Sequence, residues 1–229
     1  AYNNTNGPQL GGFAIKNAVE KAGINPEEID DVIMGCAMQQ GTTGGNIARL
    51  AALSGGLPYS VSGMSIDRQC SSGMMAIATA AKQIIVDGMN TVIGGGLESI
   101  SLVQNKTMNT NRMIDEELVK KHKSIYMPML QTAEVVSERY NISREKQDEY
   151  ALQSQMKTAA AQESGKFQNE IVPTTTEMAV YNKETGETSY EIITLDKDQG
   201  NRPTTSIDGL NSLKPVIENG YITAGKARQ

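Results

Sequence analysis

A cysteine at the junction between a predicted strand and a predicted helix constrains this chain more than any other feature. The junction is the seven-residue segment DRQCSSG at residues 67–73. An apolar strand pattern ends before it at Ile66, and a mostly apolar helix pattern follows it. A Cys70 thiol there lies near unpaired backbone N–H groups and the positive end of the helix dipole, which favour the thiolate. Strand-to-helix elbows recurrently present nucleophiles. The local chemistry leaves open that Cys70 is a small buried hydrophobe, because burial disfavours the thiolate.

Length, charge and cysteine content narrow the class of protein. The 229 residues can bury one sizeable core, or form one domain with a large insertion. The net charge of −5 comes from 21 basic and 26 acidic residues mixed along the chain, which argues against a nucleic-acid-binding protein. Two cysteines make no disulfide framework and favour a reducing compartment, so we expect a cytoplasmic location. No long apolar run or charged leader is present, and we expect neither a membrane span nor a secretion signal.

Helix and strand patterns alternate through the first hundred residues and predict an α/β layered fold. The triple glycine at residues 94–96 is suited to a close approach of backbones. The alternating apolar patterns end at about residue 101, and a mostly polar stretch from there to residue 123 predicts irregular structure. The later patterns predict two helices and a β-hairpin, at residues 132–140, 144–164, 177–181 and 188–195.

The segment DRQCSSG at residues 67–73, together with GGGLES at residues 94–99, resembles the nucleophile region of the thiolases, the acetyl-CoA acyltransferases. Other segments resemble the family in the family's own order. These segments are MGC at 34–36, NIAR at 46–49, QTAE at 131–134, ISREKQD at 142–148 and YITAG at 221–225. Because the matches are collinear over almost the whole chain, the chain is identified as a member of this family, resembling its N-terminal portion.

The resemblance implies a thiolase-like layered α/β fold, with an α+β loop domain inserted in the N-terminal half and the second half absent. Residues 1–100 would form the core that carries the nucleophile, residues 101–220 the inserted CoA-binding loop domain, and residues 221–229 a truncated return into the core. We therefore expect the chain alone to be poorly active or inactive. The complete protein would be a homo-oligomer, a dimer or a tetramer.

The resemblance also assigns site residues. Cys70 would be the nucleophile that takes the acyl group, and Glu98 would support the active site. No metal and no permanently bound cofactor is expected, because coenzyme A and acetyl-CoA enter as substrates. Residues expected to bind CoA or the acyl group are Met129, Arg202, Ala224 and Ala227.

Some positions depart from the family pattern or fall outside it. Lys226 and Arg228 stand where the family usually has asparagine and serine. Pro128 stands where many short-chain biosynthetic members have histidine, which favours the degradative 3-ketoacyl-CoA class. Cys36 lies in a predicted buried strand and is interpreted as structural, and His122 lies in a charged stretch and is interpreted as a surface residue.

The leading interpretation is an acetyl-CoA C-acyltransferase that cleaves 3-ketoacyl-CoA with CoA through a cysteine acyl-enzyme. One alternative is an acetyl-CoA acetyltransferase that forms acetoacetyl-CoA. Another is a β-ketoacyl synthase, although that family usually has a different lead-in to its cysteine. A third is a non-catalytic fragment that binds acyl-CoA or a partner chain. The helix after Cys70 is apolar on nearly every side, which predicts an exposed apolar face and self-association.

Overall fold

The computed structural model describes residues 1–226. These residues form two compact units. The first unit contains residues 1–110 and 174–195, and the second contains residues 111–173 and the chain from residue 196 onward.

A parallel three-stranded sheet forms the centre of the first unit. Its strands are β1 (Asp31–Gly35), β2 (Ser62–Ile66) and β3 (Val92–Gly96), in the order β2–β1–β3. The register pairs Gly35 with both Ile66 and Gly96. Because the strands are parallel, all three carboxyl ends lie at one edge of the sheet.

Helices cover both faces of this sheet. Helices α1 (Gly7–Ala22) and α2 (Ile47–Ser54) pack on the face that receives Val32 and Met34 of β1. Helix α3 (Ser72–Lys82) packs on the other face, where Ala76 and Ala80 contact Ile33. Successive side chains of a strand point to opposite faces of the sheet, so consecutive residues of the buried β1 pack into two different hydrophobic cores. The predicted α/β layered fold is confirmed.

The remaining elements are short helices, one long helix and a hairpin. A π-helical turn continues α3, and two 3₁₀ turns precede it in the chain. Their bounds are α4 (Ile100–Val103), α5 (Glu116–Lys121), α6 (Met129–Arg139), α7 (Arg144–Glu163), α8 (Ile207–Asn211), β4 (Thr174–Tyr181), β5 (Thr188–Leu195), the 3₁₀ turns Pro26–Glu28 and Gly41–Thr43, and the π-helical turn Gln83–Asp87. None of the helices within residues 1–226 combines the length and apolarity needed to cross a membrane.

The predicted hairpin forms, with β4 and β5 antiparallel. It belongs to the first unit, because the start of the chain bonds to β4. The side-chain amide of Asn3 donates to Ala179 O at 2.7 Å, and its oxygen accepts from Ala179 N at 3.0 Å. The boundaries expected after residues 100 and 220 group the chain differently from these compact units, and they stay a prediction about domains.

The expectation of irregular structure from residue 101 to 123 was wrong for part of that stretch. Helix α5 lies there, because the side chain of Asp115 caps it by accepting from Glu117 N at 2.9 Å and Leu118 N at 3.1 Å. Two lysines in its last turn complement the negative end of the helix.

Candidate active site

Cys70 lies on a tight turn between β2 and α3. Gln69 has a φ of 49°, a left-handed conformation that side-chain-bearing residues rarely adopt. Asp67 Oδ1 accepts a hydrogen bond from Gln69 N at 2.7 Å. The Ser72 hydroxyl accepts from Arg68 N at 2.8 Å and donates to Gln69 O at 2.6 Å. These bonds hold an uncommon backbone conformation immediately before Cys70, whose side chain is exposed.

Glycines at the ends of β1 and β3 let α3 begin directly against the sheet. A Cβ on Gly35 would lie 2.5 Å from Gly73 N and still closer to the carbonyl carbon of Ser72. A Cβ on Gly96 would lie 2.9 Å from Gly35 O. Only hydrogen fits at these two positions, so the close approach expected for the triple glycine is confirmed at Gly96. The start of the helix that follows Cys70 is therefore fixed by strand residues.

Glu98 follows β3 and bonds to the chain that follows β1. Its carboxylate accepts from Ala37 N at 2.9 Å and Met38 N at 3.3 Å. It also accepts from the Cys36 thiol at 3.4 Å. Glu98 thus fixes the same sheet edge from which the Cys70 turn emerges, and its role as an active-site residue stays a prediction.

The two cysteines have contrasting surroundings. Burial, followed by the negative charge of Glu98, raises the pKa of the Cys36 thiol from 9.0 to about 11. Cys36 therefore remains a protonated hydrogen-bond donor at neutral pH, in keeping with the structural role expected for it. Cys70 is the exposed thiol and the better placed of the two for attack on a substrate.

The second unit contains a cleft of about 910 Å³, within the usual size range of ligand sites. Two of the predicted CoA-binding residues, Arg202 and Ala224, line it. The Gln155 side chain holds the Arg202 loop by accepting from Arg202 N at 2.8 Å. Among the described residues that form its walls, three are cationic and none is acidic, which suits an anionic ligand. The cationic residues are Lys146, Arg202 and Lys226.

The other predicted residues lie elsewhere or outside the description. Met129 is the exposed first residue of α6 and is absent from the described lining of the cleft. Ala227 and Arg228 lie outside the described residues. His122 is exposed at the end of α5, as expected for a surface residue. Within residues 1–226, no group of three metal-ligating side chains could hold a metal ion.

A buried ion cluster beside the cleft was missed by the sequence analysis. Asp148 is fully buried; its Oδ2 accepts from Arg144 Nε at 2.6 Å, and its Oδ1 lies 3.3 Å from Lys226 Nζ. Burial lowers the pKa of Lys226, and the charge of Asp148 opposes that shift. The four-residue spacing of Arg144 and Asp148 within a predicted helix could have indicated their ion pair. No sequence pattern indicates the contact of Lys226 with Asp148, because the two residues lie 78 positions apart.

Comparison with known proteins identifies the family of the chain. The sequence family described as "Thiolase, N-terminal domain" matches residues 1–229. The chain therefore belongs to the thiolase family, a relationship that covers its whole length.

Three relatives show the extent of the similarity. The 3-ketoacyl-CoA thiolase of Bacillus subtilis is 36% identical over 221 residues, which are 96% of this chain and 56% of that protein. The peroxisomal 3-ketoacyl-CoA thiolase 1 of Arabidopsis thaliana is 34% identical over an alignment of 230 positions that covers 100% of this chain and 51% of that protein. The crystal structure of the Bacillus anthracis acetyl-CoA acetyltransferase superposes with a TM-score of 0.77 at 34% identity, covering 98% of this chain and 57% of that one. The chain thus spans about half the length of the relatives it matches.

Proposed function

We propose that this chain supplies the nucleophile-bearing portion of an acetyl-CoA C-acyltransferase that cleaves 3-ketoacyl-CoA with CoA. The observation that carries the proposal is the exposed Cys70, on a hydrogen-bonded turn at the start of α3, in a chain of the thiolase family. The complete protein would act as a homo-oligomer. A cytoplasmic location also stays a prediction, since one of the similar plant proteins is named as peroxisomal.

The proposed reaction forms and then resolves a thioester on Cys70. The thiolate adds to the keto carbon of 3-ketoacyl-CoA, and the bond between that carbon and the α-carbon breaks. The acyl group remains on sulfur, and the departing acetyl-CoA carbanion takes a proton. The thiol of CoA then loses its proton and attacks the acyl-enzyme, and the bond from the acyl carbon to the Cys70 sulfur breaks, which releases acyl-CoA and restores the thiolate. The proton that CoA loses balances the one that the carbanion took. The backbone N–H of Cys70 is a candidate donor to the oxyanion in each addition step.

The cleft of the second unit would hold coenzyme A. Lys146 and Arg202 line it and no described carboxylate does, which suits the phosphates of the nucleotide end, whereas the charge of Lys226 is paired with Asp148. Arg202 has a planar guanidinium, which suits phosphate or adenine. Ala224 leaves room beside it for the pantetheine arm. The same role for Ala227, and contact of Met129 with the acyl group, are proposed from the family resemblance. Pro128 before Met129 supports the degradative class.

Intact mass spectrometry after incubation with acetyl-CoA tests the nucleophile. We expect a mass gain of one acetyl group on the wild-type chain and none on Cys70→Ser. Cys36→Ser is the matched control, because it removes the buried thiol and should still gain the acetyl group. Acetylation that persists in Cys70→Ser would overturn the assignment of the nucleophile.

Titration calorimetry with CoA separates catalysis from binding. Binding that weakens in Arg202→Ala supports the cleft as the CoA site. If CoA binds and no acetyl group is transferred, the alternative of a non-catalytic acyl-CoA-binding chain gains support.

A further inference from the structure

We infer that Lys226 is a positioning residue of the cleft, because it ties the segment 221–226 to the buried Asp148 of α7. This segment carries Ala224 and forms one wall of the cleft. The inference rests on the proposed function only where it concerns CoA; the anchoring of the segment stands on the contacts alone.

Two carboxylates from different helices hold the segment. Glu134 of α6 accepts from Tyr221 N and Ile222 N, each at 2.8 Å, and so fixes its beginning. Lys226 fixes its end, with Nζ 3.3 Å from Asp148 Oδ1. The same ammonium donates to Tyr221 O at 3.1 Å, which links the end of the segment to its beginning.

The Asp148 cluster also reaches a second wall of the cleft. Arg144, paired with Asp148, donates from Nη2 to Leu210 O at 2.6 Å and to Leu213 O at 3.1 Å. Both leucines line the cleft, and both side chains also crowd against Gly225, where an added Cβ would meet them at 2.6 and 2.8 Å. Asp148 does not itself line the cleft. It joins α7, the chain around α8 and the segment 221–226 through its two cations.

Removing Lys226 is a cleaner change than removing Asp148. The Lys226 side chain is 8% exposed and Asp148 is 0% exposed, so an Asp148 variant would leave two cations beside each other without the buried carboxylate that pairs with both. In Lys226→Met, Asp148 keeps its bond to Arg144 at 2.6 Å, and methionine fills a similar volume. The fold should survive this change, while the end of the segment loses its ionic anchor.

Lys146→Met is the matched control. Lys146 lines the same cleft and carries the same charge, and its side chain is exposed on α7. It therefore reports how much a cleft cation contributes by charge alone, without the contact to Asp148.

The test combines hydrogen exchange of the 221–226 peptide with calorimetric titration of CoA. In Lys226→Met we expect exchange in this peptide to be about tenfold faster and CoA affinity to be about tenfold weaker, with exchange in the core strands unchanged. In Lys146→Met we expect a smaller loss of affinity and wild-type exchange. Unchanged exchange in Lys226→Met, or the same affinity loss in both variants with no difference in exchange, would overturn the inference. A third outcome separates the two proposals. If exchange is faster in Lys226→Met but the wild-type chain does not bind CoA, the anchoring role of Lys226 is supported and the proposed CoA site is not.

Discussion

The thiol of Cys36 donates a hydrogen bond to the carboxylate of Glu98 across 3.4 Å, and so joins the chain after β1 to the chain after β3. Glu98 also accepts from two backbone N–H groups of the same loop. The carboxylate is held by three donors. Burial, and after it the negative charge of this carboxylate, raises the pKa of Cys36 to about 11, so the thiol stays protonated. This contact has consequences for stability, for thiol reactivity and for substitutions at Glu98.

Stability should fall at alkaline pH because of Cys36. The folded state retains a thiol proton that the unfolded chain releases above about pH 9, so this contribution is present below pH 9 and is lost as pH rises through about 11. A shift of two pKa units corresponds to at most about 2–3 kcal/mol. Urea unfolding from pH 8 to pH 11 should show a shallower decline in Cys36→Ser, which keeps a hydroxyl donor that does not ionise in this range. Parallel curves for the two proteins would contradict the prediction.

Native alkylation should distinguish the two cysteines. Iodoacetamide reacts with exposed thiolates, and Cys70 is exposed while Cys36 is buried with a raised pKa. We expect one carboxamidomethyl group per folded chain, located at Cys70 by peptide mapping. Cys70→Ser should remain unlabelled until urea unfolds it. Labelling of Cys36 before Cys70 under native conditions would show that the assigned environments are wrong.

Replacing Glu98 by glutamine should destabilise the first unit. An amide offers one acceptor oxygen where the carboxylate offers two, so Ala37 N, Met38 N and the Cys36 thiol can no longer all be satisfied. The expected cost is about 1–3 kcal/mol in the free energy of unfolding. Glu20→Gln is the control, since Glu20 is exposed on α1 and its ion pair is 3.9 Å long. Equal stability of the two variants by urea unfolding would show that the Glu98 contacts contribute little.

The turn before α3 was predictable because its signals are local. An apolar strand pattern ends at Ile66, an apolar helix pattern begins at Met74, and the seven residues between them, 67–73, resemble the nucleophile region of the thiolases. The partners of Glu98 were not predictable in the same way. They come from the loop after a different strand, and the register that pairs Gly35 with Gly96 is a tertiary property. Sequence reasoning therefore placed Glu98 near the site without finding what it binds.

Longer-range contacts explain the remaining differences. The hairpin pattern was visible in the sequence, but its attachment through Asn3 depends on a contact 176 residues away along the chain. Helix α5 was missed because it is only six residues long, with two apolar residues in a mostly polar stretch, and the side chain of Asp115 caps its start. Lys226 was noted only as a departure from the family pattern. Its burial against Asp148 is a tertiary contact that no local sequence pattern indicates.

The approach of α3 to β1 predicts a strong effect of Gly35→Ala. The added methyl group would overlap the backbone of Ser72 and Gly73, so α3 must shift and carry Cys70 with it. We expect a loss of about 1–3 kcal/mol in stability and a changed rate of alkylation at Cys70. Gly73→Ala is the matched control, because its Cβ would meet nothing within 4 Å and alanine favours a helix. If both variants unfold at the wild-type urea concentration, the close approach does not constrain the helix.

The outer face of α3 and the π-helical turn that continues it should drive self-association. The inner face packs on the sheet, while Met74 is 73% exposed, Ile77 59% and Ile85 80%. Exposed apolar side chains grouped on one helical face favour association, because association removes them from water. Sedimentation velocity at tens of micromolar should show dimers or larger species, and Ile77→Glu combined with Ile85→Glu should restore the monomer. Ile192→Glu is the control, since it removes an equally exposed isoleucine from β5 and should leave the association unchanged. A wild-type chain that sediments as a monomer at this concentration would refute the prediction, and association abolished by Ile192→Glu alone would move the contact from α3 to the hairpin.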